Sequence, residues 1–321
     1  MRRAVVALAI LLLTGCAATP LQVDVSGDLA AHDPAVVAGE NGEPWFVYST
    51  GTAAADGAIQ VRRSTDGTKW QYAGVVWKQR PAWIDEHIRG VGPLWAPELV
   101  EHDGTWFLYY AASTFGSNHS AIGLATNSTL DPADSDYEWV DQGPVLESKT
   151  SDDFNAIDPG IVTDENGTPW MAFGSFWSGI RMVELEWPSG KRADATEPLR
   201  LADRRSPPNA IEAPTIVVHD DDYYLFASFD SCCQGLNSTY NVRVGRSHSV
   251  IGPYVDRAGK PMLEGGGTTL LQTDGARIGP GGESASNGYL AWHYYDGDAA
   301  GAPRLAISRL DWDADGWPVV D

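Results

Sequence analysis

The sequence predicts an all-β chain folded as a five-bladed β-propeller. Three observations carry that prediction. Five short stretches repeat one pattern of proline, turn and aromatic-rich strand at nearly even spacing. Turn signals such as Asn41-Gly42, Asp103-Gly104, Asn166-Gly167 and Asp315-Gly316 punctuate the chain throughout. No stretch sustains a 3.6-residue apolar period with caps, so helix content should be very low. The repeat prolines are Pro34, Pro97, Pro159, Pro214 and Pro280, with gaps of 63, 62, 55 and 66 residues. An aromatic follows each by 9 to 11 residues: Trp45, Trp106, Trp170, Tyr224 and Tyr289. Repeated supersecondary units bury their faces against one another, and five β units set radially make a propeller.

The elements follow in chain order. Residues 1–15 read as an export signal, with Arg2 and Arg3 ahead of an apolar run from Ala4 to Leu13. That run is too short to span a bilayer. It ends in Leu13-Thr14-Gly15-Cys16, which resembles a bacterial lipoprotein cleavage box. Cys16 is then the lipidated first residue of the mature chain, or else an incidental residue in an ordinary cleaved signal. Residues 16–26 read as a tether and 27–321 as one domain. The polar segment from Pro188 to Pro208 reads as a loop between blades.

Composition narrows the function. Lys and Arg number 22 against 43 Asp and Glu, a net charge of -21. Such a surface repels nucleic acid and other polyanions, and it suits an exported protein acting on a neutral polymer. No later stretch is apolar for long enough to cross a membrane. Thirteen Trp and twelve Tyr exceed ordinary core needs. Flat aromatics are platforms for sugar rings, although any single Trp can equally be inter-blade packing. Cys232 and Cys233 are adjacent. Two free, partly buried thiols are expected there rather than a bridge between neighbours.

The repeats also place carboxylates. Asp33 precedes Pro34 and Asp158 precedes Pro159, while Ala96 and Ala213 hold the matching positions. Glu212 stands one residue before Ala213. Equivalent positions in a propeller land on one rim of the central channel, so three carboxylates from three blades should converge. Like charges in one pocket raise one another's pKa values. One protonated acid and one ionised base are what glycosidic hydrolysis needs. An Asp before Pro is also an ordinary turn residue; three aligned positions favour chemistry.

At this point a family resemblance emerges. His32-Asp33-Pro34, LWAPEL (94–99), STFGSNHSAIGLA (113–125), NAIDPG (155–160), FGSFWSGI (173–180) and IEAPTI (211–216) resemble glycoside hydrolase family 43, specifically its endo-1,5-α-L-arabinanases. FDSCCQGLNSTYNVRVGRS (229–247), LEGGGT (263–268), AWHYYDGD (291–298) and LDWDADGWP (310–318) fit the same pattern. The resemblance spans nearly the whole mature chain. It implies a five-bladed propeller that inverts the anomeric centre. Asp33 then resembles the general base, Glu212 the general acid, and Asp158 the third carboxylate that orients the acid and tunes its pKa.

Further expectations rest on the same resemblance. His293 matches a position that holds a metal ion, usually calcium, in the central channel through one histidine and a water shell. Read alone, a His between Trp and Tyr on a strand is a hydrogen-bonded core residue. Trp95, Phe115, Asn155, Ser175 and Trp177 are the expected substrate-binding residues, with the aromatics stacking on arabinose and Asn155 and Ser175 bonding hydroxyls. Glu98 stands where Asp is more usual, and His119 where a smaller residue is. The implied partner is arabinan or arabino-oligosaccharide, the membrane is met only through the lipid anchor, and the chain is expected to be a monomer. An exo-acting arabinofuranosidase or β-xylosidase of the same family is the alternative. The absence of an added β-sandwich domain before Asp321 favours endo action. A lipid-anchored protein that binds glycan without cutting it would not need all three carboxylates.

Overall fold

A computed structural model describes residues 21–53 and 57–320. The expected signal and Cys16 lie outside these residues. Among the described residues the regular structure is twenty-three strands, one short α-helix, Ala82–His87, and three single-turn 3₁₀ helices. Each blade is an antiparallel sheet of consecutive strands. Blade I contains Ala35–Val37, Trp45–Ser49, Gln60–Ser64 and Lys69–Val75. Blade II contains Trp95–His102, Thr105–Ala112, Ser120–Asn127 and Val140–Ser148. Blade III begins with Gly160–Thr163, Pro169–Phe173 and Ile180–Glu186. Its outer edge is built from Lys191–Arg192 and Leu199–Ala202, both paired to Ile180–Glu186. The segment expected to be an inter-blade loop therefore supplies the outer strands of this blade. Blade IV contains Ile211–His219, Asp222–Phe229, Asn241–Ser247 and Thr268–Leu271, and blade V contains Arg277–Ser286, Tyr289–Asp296 and Ala302–Arg309.

Blade V is completed from the other end of the chain. Gln22 bridges Ser308 antiparallel, and the Val23 N–H donates to the Ile307 carbonyl at 2.9 Å. Ser26–Gly27 then runs parallel to Lys69–Trp70 on the edge of blade I. Residues 21–26, expected as tether, are thus part of the folded unit and latch its last blade to its first. This pairing joins residues almost 290 positions apart, so no local periodicity announces it.

The second strand of each blade alternates sides with a period of two and is buried on both. Phe46 and Tyr48 pack toward blade II, with Leu108 and Tyr110. Trp45 and Val47 pack the other way, against Leu305 and Ile307 of blade V. Phe107 and Tyr109 meet Met171 and Phe173 between blades II and III. Ala172 and Met182 meet Leu225 and Phe229 between III and IV. Tyr224 and Phe226 meet Leu290 and Trp292 between IV and V. Five apolar clusters are therefore five inter-blade seams. Each fully buried aromatic or aliphatic side chain contributes about 1.5–3 kcal/mol through burial.

The rim of the channel carries a backbone repeat beneath the sequence repeat. Asp33, Ala96, Asp158 and Ala213 have φ of 48°, 41°, 57° and 51°. Each precedes its proline. In blade V the same turn is made by Gly282, φ 61°, followed by Glu283. All five pairs border the narrow channel at the axis. The fifth repeat thus registers on Gly282-Glu283, with Glu283 in the proline position, three residues beyond Pro280.

Phe226→Ala, at the seam between blades IV and V, is expected to cost about 3–5 kcal/mol. Tyr72→Ala, half-exposed on an outer strand, should change stability by about 0.5 kcal/mol or less. Denaturant unfolding followed by tryptophan fluorescence measures both, and equal losses would contradict seam-based stability.

Candidate active site

The left-handed turn at each rim position has a second consequence. It aims the amide of the turned residue at a neighbouring blade. The Ala96 N–H donates to Thr50 Oγ1 at 2.9 Å, and the Ala213 N–H donates to Asp158 Oδ2 at 3.2 Å. The Asp33 N–H donates to His293 Nδ1 at 3.1 Å. A non-glycine residue held at positive φ costs on the order of 1–3 kcal/mol and persists only where its surroundings fix it. These side-chain acceptors supply that fixing at Asp33, Ala96 and Ala213.

Above the rim opens a cavity of about 1110 Å³. Asp33, Asp158 and Glu212 all line it. So do Trp95, Phe115, Asn155, Ser175 and Trp177. Phe115 is 82% exposed, and Trp95 meets it edge to face at 5.5 Å. Trp177 is also exposed. These rings form an open apolar wall rather than inter-blade packing. Asn155 is buried, and its Oδ1 accepts the Ser120 hydroxyl at 2.7 Å. Ser175 has a partner that the sequence did not announce. Its hydroxyl donates to Glu212 Oε2 at 2.6 Å, which leaves its oxygen lone pairs to accept a sugar hydroxyl.

The three carboxylates are pushed apart electrostatically. Burial raises Glu212, and the Asp33 charge adds to this; hydrogen bonds from Ser175 and Tyr240 pull it down without cancelling the rise. The Tyr240 hydroxyl donates to Glu212 Oε1 at 2.9 Å. Asp158 is raised well above the carboxylate range by burial, then by Glu212 and Asp33. Burial also pushes on Asp33, but the His32 charge and hydrogen bond, His293 and Thr50 outweigh it and hold Asp33 well below its usual value. Its Oδ2 accepts from His32 Nδ1 at 2.8 Å and from Thr50 Oγ1 at 2.7 Å. Gly282 leaves the room this requires, since a Cβ there would lie 2.6 Å from Asp33 Oδ1 and 2.8 Å from His293 Nδ1.

His293 does not line the cavity. It is fully buried behind Asp33, stacked on His32 at 3.7 Å. Burial, and then the His32 charge, hold its pKa well below the ordinary histidine value, so the ring is neutral. Its Nδ1 accepts the Asp33 amide, and its Nε2 lies 3.4 Å from the Tyr295 hydroxyl. His32, Asp33 and His293 do bring three potential ligand atoms close together. Yet these atoms already hold protons between them, and calcium asks for six to eight oxygens. The protein supplies few of these oxygens, so a calcium ion here would be held through His293 and a shell of water, as the resemblance implies.

The expectation for Cys232 and Cys233 is corrected. They are joined as a disulfide, with Cys233 at φ 65° turning the pair onto the cavity wall. Several site residues escaped sequence reasoning. Tyr240, Thr50 and Tyr295 sit in or beside the recognised motifs, but their roles come from partners far along the chain. Glu283, buried on the channel and pushed up to about 8, chiefly by burial, lost its signal because no proline follows the turn. Glu98 borders the same channel and is likewise pushed up to about 8 by burial.

Comparison with known proteins agrees with this geometry. The family model described as glycosyl hydrolases family 43 matches residues 25–318. An extracellular endo-α-(1→5)-L-arabinanase of Bacillus subtilis is 40% identical over 289 residues, covering 89% of this chain and 86% of that protein. An extracellular exo-α-(1→5)-L-arabinofuranosidase of Cellvibrio japonicus is 38% identical, covering 97% and 90%. The solved structure of an endo-arabinanase from Bacillus licheniformis superposes with a TM-score of 0.86 at 40% identity, covering 92% of this chain and 99% of that one. With its propeller, its rim carboxylates and a family match over nearly its whole described length, the chain belongs to glycosyl hydrolases family 43.

Proposed function

We propose that this protein is an inverting glycosidase that cuts internal α-1,5-L-arabinofuranosidic bonds of arabinan. Asp33 is the general base, Glu212 the general acid, and Asp158 the carboxylate that orients the acid and tunes its pKa. One observation carries the reading. Asp33 is held ionised while Glu212, lining the same cavity, is raised toward its protonated form. Titratable groups driven in opposite directions in one pocket are the mark of an acid/base pair.

The steps follow from this split. Oδ2 of Asp33 is committed to His32 and Thr50, which leaves Oδ1 to take a proton from the attacking water. Glu212 gives its proton to the departing oxygen. Asp158, whose Oδ2 accepts the amide of Ala213 beside the acid, is itself raised by burial and by the Glu212 and Asp33 charges, so it stays neutral while Glu212 passes its proton to the leaving oxygen and takes up charge. The exposed rings of Phe115 and Trp177 offer stacking surface for sugars on either side of the cut. The acid and base carboxyls should stand roughly 6.5–9.5 Å apart, leaving room for the water.

Exo action is the second reading, favoured by the exo-arabinofuranosidase relative that covers 97% of this chain. Early digests of linear debranched arabinan separate the two. A ladder of oligosaccharides is expected, and arabinose alone would support exo action. Export with lipid on Cys16 is also part of the proposal. Its support is the apolar leader ending in Leu13-Thr14-Gly15-Cys16, together with relatives named extracellular. Cys16→Ala should release the protein from the membrane fraction; an unchanged distribution would remove the anchor.

Asp33→Asn and Glu212→Gln are each expected to lower kcat/KM by at least about 10²-fold with the fold intact. Wild-type turnover in either would refute its role. Ser175→Ala tests the pKa argument. The Ser175 hydroxyl stabilises the Glu212 carboxylate, so its loss raises the Glu212 pKa further. Activity needs Glu212 protonated and falls as pH rises through that pKa. The alkaline limb of kcat/KM should therefore move to higher pH, and a shift the other way would contradict the hydrogen bond's role.

A further inference from the structure

We propose that Tyr295 is a positioning residue for the general base, acting through His32. The inference rests on Asp33 being that base. A chain of three hydrogen bonds runs from the loop after blade IV to the Asp33 carboxylate. The Cys233 N–H donates to the Tyr295 hydroxyl oxygen at 2.7 Å. That hydroxyl lies 2.9 Å from His32 Nε2. His32 Nδ1 lies 2.8 Å from Asp33 Oδ2. The links come from three separate parts of the fold: the Cys232–Cys233 loop, the second strand of blade V, and the entry to blade I.

Its chemistry is directional. His32 donates from Nδ1 to Asp33 whether the ring is neutral or charged. Its Nε2 then meets the same phenol oxygen, accepting its proton in one state and donating in the other. Tyr295 is nearly fully buried, at 3% exposure, so water does not readily replace this partner. The His32 ring is fixed on a second side by stacking on His293 at 3.7 Å. With ring plane and tilt both set, Oδ2 of Asp33 is pinned and the orientation of Oδ1 follows. A base must meet its water at hydrogen-bond distance, and misplacement by about 1 Å can cost on the order of 10²-fold in rate. Tyr295 and His32 touch neither acid nor leaving group in this scheme. Their effect should fall on water activation alone.

Tyr295→Phe removes one oxygen and keeps the ring. His32→Asn keeps a donor near the Nδ1 position and cannot reach Tyr295. The experiment measures kcat and KM for both variants, their double variant and Asp33→Asn, on an arabino-oligosaccharide and on its nitrophenyl glycoside. Unfolding midpoints are taken in parallel. Tyr295→Phe is expected to lower kcat on the order of tenfold or more with KM within about twofold. The loss should be equal on both substrates, because a better leaving group relieves a missing acid but not a misaligned base. In the double variant, Tyr295→Phe should add little to His32→Asn, since both cut one chain. An inactive Asp33→Asn beside wild-type kcat in Tyr295→Phe would overturn the inference and spare the base. A loss confined to KM, a loss relieved by nitrophenol, or full additivity would overturn it equally. Turnover retained in Asp33→Asn would bring down the base assignment itself.

Discussion

Each of the first four blades enters its first strand through a non-glycine residue held in the left-handed region, and three of the rim amides are captured by a side chain from another blade. This exchange is the constraint on which the rest depends. It fixes the turned backbone at Asp33, Ala96 and Ala213, it spends Thr50, Asp158 and His293 as acceptors, and it couples ring closure to site geometry. Asp33 belongs to blade I and its amide is held by blade V. The last blade is in turn completed by residues 21–23. Asp33 therefore sits beside the seam that closes the ring.

Burial does different work on each carboxylate because their partners differ. Glu212 is met by hydroxyls of Ser175 and Tyr240, neutral donors that soften the desolvation cost without removing it. Asp33 is met by His32, whose charge and hydrogen bond together outweigh that cost. A dry pocket with identical neighbours would raise both groups and leave no base. The asymmetry of one histidine against two hydroxyls is what divides the labour. Glu98 and Glu283, also on the axis, are both raised, chiefly by burial, with hydrogen bonds that do not offset it.

Much of this was legible in the sequence. The unbroken apolar runs from Trp45 to Tyr48 and from Trp106 to Tyr110 state strands buried on both faces, and the spacing of Pro34, Pro97, Pro159 and Pro214 states the repeat. Asp33, Asp158 and Glu212 could be aligned because four blades share one turn followed by proline. Where that chemistry changes, the reading slips: Gly282-Glu283 makes the same turn with no proline, and the fifth register was placed on Pro280. Residues 21–26 carry no strand pattern of their own, because their partners lie at Ile307 and Ser308 and on the edge of blade I. His32, Thr50 and Tyr295 are ordinary polar residues until the fold gathers them, and the bridge between Cys232 and Cys233 needed the turned backbone at Cys233.

In the proposed mechanism Asp33 activates water and does not itself attack the sugar. Proton NMR of the first-formed product, recorded before mutarotation, tests it most directly. Hydrolysis of the α-linked substrate should release the β-anomer first. Initial release of the α-anomer would mean a covalent intermediate and a nucleophilic carboxylate, and the roles given to Asp33 and Glu212 would fall together.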